Sequence, residues 1–486
     1  NDKKIFFSEH HLSHAASAFF PSPFKEAIIV TADGVGEWST SSIALGKDNN
    51  IEIMKEIGFP NSLGLLYSAF TYYCGFKVNS GEYKLMGLAP FGKPKYSKLI
   101  ADNLIDIKED GSFRLNQKYF SYSVGFKMIN KNFINLFGKK PRKSETKISE
   151  FHMDIAASIQ KVTEDIVLKI MQSVRKEFGV SNVCLAGGVA LNCVVNGILK
   201  KKKIFKNIWI QPASGDAGGS LGAALAFWHI GKKKKRIISH SDAMEGSFLG
   251  PKFDKNEISN FLKKIGAKFT ICDRKKLASK IALQISKGKA IGWFQGRMEF
   301  GPRALGARSI LADPRKKNIQ KQLNLKIKFR ESFRPFAPAI LEEYADEWFE
   351  NIGKSPYMLF VSDVKDEKLK KNQILKQRDL SSIDNVRSVI PGVTHVDNSA
   401  RVQTVNKRTN TIFYELIYEF HKITKTPILI NTSFNIRGEP IVCSPKDAFR
   451  CLMGTNLDIL VIENFIIEKK KQDRVLQIDY RNEFSL

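Results

Sequence analysis

Residues 181–231 read SNVCLAGGVALNCVVNGILKKKKIFKNIWIQPASGDAGGSLGAALAFWHIG. A short apolar run breaks at Gly187-Gly188 and passes into helical spacing. NIWI then breaks at Gly215-Asp216 and Gly218-Gly219 and passes into an Ala-rich helical stretch. Glycine marks each transition because it adopts the turn conformations that side chains resist. Two successive strand–glycine–helix units predict an α/β domain. Upstream, EAIIVTADGVGEWSTSSIALG reads as two β-rich runs around the turn pair Asp33-Gly34, a hairpin with an acidic tip. Residues 152–178 keep apolar positions at helical spacing and end in basic residues beside Gly179, which predicts a long amphipathic helix.

The basic run after Gly231 and the turn-rich SHSDAMEGSFLGPKFD read as a linker, placing a first domain at 1–235 and a second at 240–486. In the second, KAIGWF and PILINTSF are expected strands alternating with helices. With 486 residues, 43% hydrophobic and 26% charged, each domain has enough apolar sequence for a core. No apolar stretch reaches the roughly 18 residues that span a bilayer, so no membrane span is expected. The six cysteines are scattered without a CxxC pair, which argues against a thiolate zinc site and for a reducing, cytoplasmic setting. The net charge of +28 would suit nucleic acid, but much of the excess lies in separate lysine blocks, so nucleic acid is disfavoured and anionic substrates are the alternative.

Three clusters carry candidate chemistry. In EHHLSHAASAFF, His10 and His14 are i and i+4 and share a face of a helix. With Asp216 as a third ligand they suit Fe(II), Mn(II) or Zn(II), the sequence alone not choosing among them; a solvent-facing or capping histidine cluster is the plain alternative. The turns at Asp33-Gly34, Gly187-Gly188 and Gly215–Gly219 offer bare backbone N–H groups to phosphates, and Glu82 and Lys84 in GEYKLMGLAPFGK suit ribose and phosphate or a surface ion pair. In the second half, Arg297, Arg303 and Arg308 flank glycine turns in GRMEFGPRALGARSILADPR, and KIKFRESFRPFAPA adds Lys328, Arg330 and Arg334. Guanidinium forks bind phosphate, or else form interdomain salt bridges. NTSFNIRGEP supplies Asn431, Thr432, Ser433 and Asn435 for phosphate or carbonyl oxygens.

HHLSHAASAFF, GEYKLMGLAPFG, AGGVALNC, FGPRALGARSILADPR, FRPFAPA and NTSFNIRGEP together resemble the O-carbamoyltransferases of the nodulation and antibiotic-tailoring type. The resemblance covers essentially the whole chain. It implies an α/β architecture of two parts: an actin-like (ASKHA, ribonuclease H-like) nucleotide-binding domain, then a YrdC-like α/β domain similar to threonylcarbamoyl-adenylate synthase. It also implies that ATP, with Mg, and carbamoyl phosphate yield carbamoyl-adenylate in the second domain. The first domain would then move the carbamoyl group to a hydroxyl of a small-molecule or sugar acceptor.

By the same resemblance, His10, His14 and Asp216 would bind a divalent metal, Fe(II) before Mn or Zn, and Asp33, Gly34, Glu82, Lys84, Gly187, Gly188 and Asn192 the nucleotide. Arg303, Lys328, Arg330 and Ser433 would form the activation site, with Arg308, Arg334, Thr432 and Asn435 beside them. His11, between two ligands, would assist proton transfer or pack. Family members usually carry a longer N-terminal segment, so the first domain is expected to be incomplete here. A homodimer is compatible with the sequence. A tRNA-modifying threonylcarbamoyl enzyme, or a degenerate nucleotide-binding protein without transferase activity, are the other readings.

Overall fold

A computed structural model describes residues 4–239, 241–370, 380, 385–476 and 479–484. The chain forms two compact units, Asn1–Ala243 and Met244–Leu486. Residue 240, where the sequence puts the boundary, lies outside the described residues.

The first unit runs α1 (His10–Phe19), β1 (Glu26–Ala32), β2 (Ser39–Lys47), β3 (Asn50–Gly58), α2 (Leu63–Tyr73), α3 (Glu82–Leu88), α4 (Ser97–Asn103), β4 (Ile105–Ile107), β5 (Phe113–Leu115), α5 (Lys131–Phe137), α6 (Glu150–Phe178), β6 (Asn182–Ala186), α7 (Cys193–Lys202), β7 (Asn207–Ile210) and α8 (Asp216–Ala226). Its main sheet has the order β3-β2-β1-β6-β7. The hairpin is antiparallel, with Val30 opposite Ile43, whereas β6 and β7 add in parallel, Thr31 pairing with Ala186 and Leu185 with Ile210. The carboxyl ends of β1, β6 and β7 therefore lie side by side, and each opens into one of the turns anticipated from the sequence. In open α/β sheets that edge is where ligands bind.

Helix α1 forms from a run of small residues and buries Ala15, Ala16, Ala18 and Phe19. Its own N-cap, Glu9, supplies no side-chain bond; the Glu37 carboxylate beyond the hairpin tip accepts from His10 N–H at 3.0 and 3.2 Å instead. At the other end the structure corrects the sequence reading. Arg236, taken as part of a solvated linker, is 6% exposed, and its guanidinium donates to the carbonyls of Phe19 (2.7 Å), Phe20 (2.9 Å), Ser22 and Phe24 (2.7 Å). These are the carbonyls that a helix end leaves without intrahelical partners, and the residues just after it.

The second unit runs α9 (Lys255–Lys264), β8 (Thr270–Ile271), α10 (Arg274–Ser286), β9 (Ile291–Phe294), β10 (Arg308–Ala312), α11 (Ile319–Lys326), β11 (Ala337–Leu341), α12 (Ala345–Trp348), β12 (Phe360–Asp363), β13 (Ser399–Val405), α13 (Thr411–Thr424), β14 (Ile428–Ser433), α14 (Pro445–Gly454), β15 (Ile459–Ile462) and β16 (Phe465–Glu468). Among the described residues one sheet carries all nine of these strands, in the order β12-β13-β11-β14-β10-β9-β15-β16-β8. Leu277, Ile281 and Ile285 of α10 and Phe413, Leu416, Ile417 and Phe420 of α13 form a core with Trp293, Leu311, Leu341, Leu429 and Val461 of the strands. Helical spacing on one side meets strand residues on the other, the amphipathic match the sequence pattern requires.

Candidate functional site

In the first unit, His10 and His14 project from one face of α1 toward the strand ends. His14 Nε2 lies 2.8 Å and His10 Nε2 3.3 Å from Asp33 Oδ2, the two ring nitrogens are 3.0 Å apart, and Asp216 Oδ1 lies 3.5 and 3.6 Å from them. The four ligand atoms all fall within 4.8 Å of one another. Ligands about 2.1 Å from one ion stand about 3.0 Å apart along an octahedral edge and about 3.4 Å apart in a tetrahedron, so these separations fit donors around a common cation. Two imidazoles and two carboxylates are donors for Fe, Mn or Zn.

The other oxygen of Asp33 explains how it is aimed. Oδ1 accepts from Gly34 N–H at 2.8 Å and Gly188 N–H at 3.3 Å, which leaves Oδ2 to face the histidines. Burial opposes ionisation of Asp33, but the hydrogen bonds from His10 and His14 outweigh it and hold the carboxyl well below the usual carboxylate range. Asp216 is shifted the other way, by burial and then by the negative charge of Asp33. The hydrogen bond to Asp33 raises the pKa of His10. Two carboxylates pushed in opposite directions at one point are what a cation would relieve.

The sequence reading assigned Asp33 to the nucleotide and did not place it beside the histidines, where the structure brings it. Its position directly after the buried strand β1, beside the Gly187-Gly188 turn, is the signal that would have found it. Gly34 and Gly188, expected to meet phosphate, donate to Asp33. Gly187 has φ +87°, and a Cβ there would stand 2.2 Å from the Ala32 carbonyl oxygen, so only glycine closes this turn against β1. Glu82 accepts from Ser68 Oγ (2.8 Å), Asn79 N–H (2.9 Å) and Gly81 N–H (3.1 Å) at the start of α3, and Lys84 is buried. Asn192 caps α7 through Val195 N–H and pairs with Gln160, a structural role. His11 is buried with Nδ1 2.6 Å from Thr31 Oγ1, itself 2.6 Å from Ser42 Oγ; burial pulls its pKa to about 4, so it is neutral near pH 7.

In the second unit, β10 and β11 both run antiparallel to β14, with Ser309 opposite Ser433 and Ala337 opposite Asn431. The segments before β10 and β11 and the one after β14 thus leave the same end of the sheet. The motifs holding Arg303, Arg330 with Arg334, and Ser433 with Asn435 are brought together there. Lys328, 2% exposed, joins them: its Nζ lies within hydrogen-bond reach of the Ser433 carbonyl (2.7 Å), the Asn435 carbonyl (2.7 Å), Ser433 Oγ (3.2 Å) and Asn435 Oδ1. Burial, with the charge of Arg330 next, pulls its pKa well down, while the surrounding oxygens offer an acceptor for each of the three N–H groups of the ammonium. Lys328 therefore shapes the loop, where the sequence reading had it act on substrate. Arg330 Nε donates to Asn324 Oδ1 at 2.6 Å, and Arg334 lies 3.8 Å from Glu331. Thr432 lies within β14, opposite Ile310.

Arg308 corrects the sequence reading. It is fully buried on β10, its guanidinium donates to the carbonyls of Gln295, Gly296, Ala307 and Pro251, and its carbon lies 3.4 Å from the Phe294 ring centroid. It serves the fold rather than a phosphate. Asn431 is likewise internal, donating to the Ala304 carbonyl and Gln403. Glu299 was overlooked: its buried Oε1 accepts the N–H groups of Leu305 (2.6 Å), Ala307 (2.8 Å) and Arg308 (3.3 Å), which winds the Arg303 loop around it.

Residues 1–225 match the carbamoyltransferase N-terminus and residues 282–469 the carbamoyltransferase C-terminus. The chain belongs to the carbamoyltransferase family. An uncharacterized protein of Synechocystis is 54% identical over 99% of this carbamoyltransferase and 79% of its own length. The nodulation protein NolO of Bradyrhizobium diazoefficiens is 36% identical over 95% of this chain and 79% of its own. NolNO of Sinorhizobium fredii is 36% identical over 96% of this chain and 64% of its own. A solved structure, full-length HypF in its phosphate- and nucleotide-bound form, overlaps 47% of this chain and 44% of its own at 15% identity and a TM-score of 0.27, too slight to bear on the fold. Among the described residues of the carbamoyltransferase no helix is long and apolar enough to cross a membrane.

Proposed function

We propose that this carbamoyltransferase activates and transfers a carbamoyl group in two steps divided between its units. In the second unit, water cleaves carbamoyl phosphate to carbamate and phosphate. A carbamate oxygen then attacks the α-phosphorus of ATP, carried with Mg, and pyrophosphate leaves as carbamoyl-adenylate forms. Arg303, Arg330 and Arg334 stand at the sheet end where that negative charge gathers, and Lys328 keeps the Ser433–Asn435 loop in shape. In the first unit, a hydroxyl of a small molecule or sugar attacks the carbamoyl carbon, its proton passes to a base, and AMP leaves.

The observation that carries this reading is the convergence of His10, His14, Asp33 and Asp216 at the carboxyl ends of parallel strands in a member of this family. A divalent metal, Fe(II) or otherwise Mn or Zn, would be held by these four and would supply positive charge to phosphate oxygens. The order of three antiparallel then two parallel strands supports an actin-like reading of this unit, and the second unit is read as YrdC-like. His11, neutral and hydrogen-bonded to Thr31, orients α1 against β1. The setting is read as cytoplasmic.

The test is to supply the purified protein with carbamoyl phosphate and ATP and no acceptor. Pyrophosphate release that depends on carbamoyl phosphate is expected; its absence in metal-replete protein would reject the activation step.

A further inference from the structure

The match to the carbamoyltransferase C-terminus stops at residue 469, yet the last described segment, Asp479–Phe484, packs onto the loops around Lys328. Tyr480 is 1% exposed, and its hydroxyl lies 3.2 Å from Glu439 Oε2. That same oxygen accepts the Ile436 N–H at 2.8 Å, while the Glu439 carbonyl accepts from Asn435 Nδ2 at 2.6 Å. The hydroxyl thus reaches, through one carboxylate, the loop that Lys328 grips from the other side.

Three further contacts hold the segment down. Arg450 of α14 lies 4.2 Å over the Tyr480 ring and pairs with Glu483. Arg481 lies 5.1 Å over the ring of Phe329, the residue between Lys328 and Arg330, whose backbone sits at φ +48°. Gly438 has φ +79°, and a Cβ there would stand 2.8 Å from the Phe484 carbonyl oxygen, so the two backbones meet at a distance only glycine permits. Two of the three loops that carry the second unit's motifs, those around Lys328 and Ser433–Glu439, are touched by this one short segment.

We infer that Asp479–Phe484 is a strap that fixes the Ser433–Glu439 loop around Lys328, with Tyr480 as its positioning residue. The inference rests on the reading of this loop as the carbamoyl phosphate site. Tyr480 does not touch substrate; it orients Glu439, which holds the Ile436 amide.

The test uses the full chain with Tyr480→Phe, which removes only the hydroxyl, and Gly438→Ala, which wedges the strap away. Amide exchange and carbamoyl-phosphate-dependent exchange of pyrophosphate into ATP are both followed. In each variant the Ile436 amide is expected to exchange about tenfold faster or more, with the core strands unchanged. KM for carbamoyl phosphate is expected to rise about five- to twentyfold with kcat within about twofold. A merely structural role would lower Tm without this split. Parent-like protection of Ile436 in both variants would overturn the strap. A parent protein without the pyrophosphate exchange would reject the functional reading alone, because the Ile436 amide reports on the strap in either case.

Discussion

Gly222 of α8 lies directly beneath Ser13 of α1: a Cβ at Gly222 would stand 1.8 Å from the Ser13 carbonyl oxygen. The bare backbone of one helix therefore sets how closely the other approaches, and with it the reach from His10 and His14 to Asp216. Gly222→Ala must push the helices apart. Metal content at equal free metal is expected to fall at least about tenfold, with a lower Tm. Gly219→Ala, three residues earlier and with nothing within 4 Å of the new Cβ, is the control. It is expected to keep the metal and gain up to about 1 kcal/mol from reduced backbone freedom.

Asp33→Asn keeps an oxygen for the Gly34 and Gly188 amides but removes the charge opposite the histidines. Metal analysis is expected to show a loss as large as in His14→Ala. Glu82→Gln, whose carboxylate serves Ser68 and the start of α3, is expected to retain full occupancy. Retention of metal by Asp33→Asn would remove Asp33 from the ligand set.

Lys328→Met leaves the carbonyls of Ser433 and Asn435 without their donor. Buried acceptors that lose a partner cost about 1 to 3 kcal/mol each, so a fall in stability of about 2 to 6 kcal/mol is expected. Denaturant unfolding would measure it, and pyrophosphate release should fall with it. A variant as stable as the parent would show that the loop keeps its shape without the ammonium.

Arg308→Lys removes the fork that serves four carbonyls and the stack on Phe294. It is expected to cost about 2 kcal/mol or more, while KM for carbamoyl phosphate stays within about twofold. A large KM effect at unchanged Tm would restore Arg308 to the substrate site.

Stability is expected to decline as the solution is acidified. Burial pulls the pKa of His152 and of His395 to about 4 from an ordinary value of 6.5. Between those values the unfolded chain binds protons that the folded chain refuses, so stability is full above about pH 6.5, drops as pH falls and levels off below about 4. His395→Gln should flatten a plot of Tm against pH over that range; an unchanged slope would exclude its contribution.

What the sequence revealed was local. The hairpin around Asp33-Gly34, the helix ending at Gly179 and the two strand–glycine–helix units are each written within about 30 residues, where periodicity and turn chemistry suffice. The sharing of one helix face by His10 and His14 was visible for the same reason. What escaped were roles set by pairing across the chain. Gly222 looked like one more small residue in an Ala-rich helix until α1 lay on it. Arg308 looked like a phosphate ligand because charge in a glycine-rich stretch usually faces solvent or substrate, whereas strand pairing on both sides turned it inward. Glu299, with no partner nearby in the sequence to betray it, is defined by three amides that only the folded loop presents.

The seal that Arg236 places on the end of α1 has a consequence in time. On the ribosome, His10 and His14 emerge first, Asp216 only after some two hundred further residues, and the guanidinium that satisfies the carbonyls of Phe19 and Phe20 later still. Helix α1 thus meets Asp33 and Glu37 soon after it is made, whereas Asp216 and the guanidinium that seals its far end come long after. The nascent unit has to hold the far end of that segment in reserve, so the convergence of all four side chains becomes a late event in its maturation rather than the nucleus from which it grows.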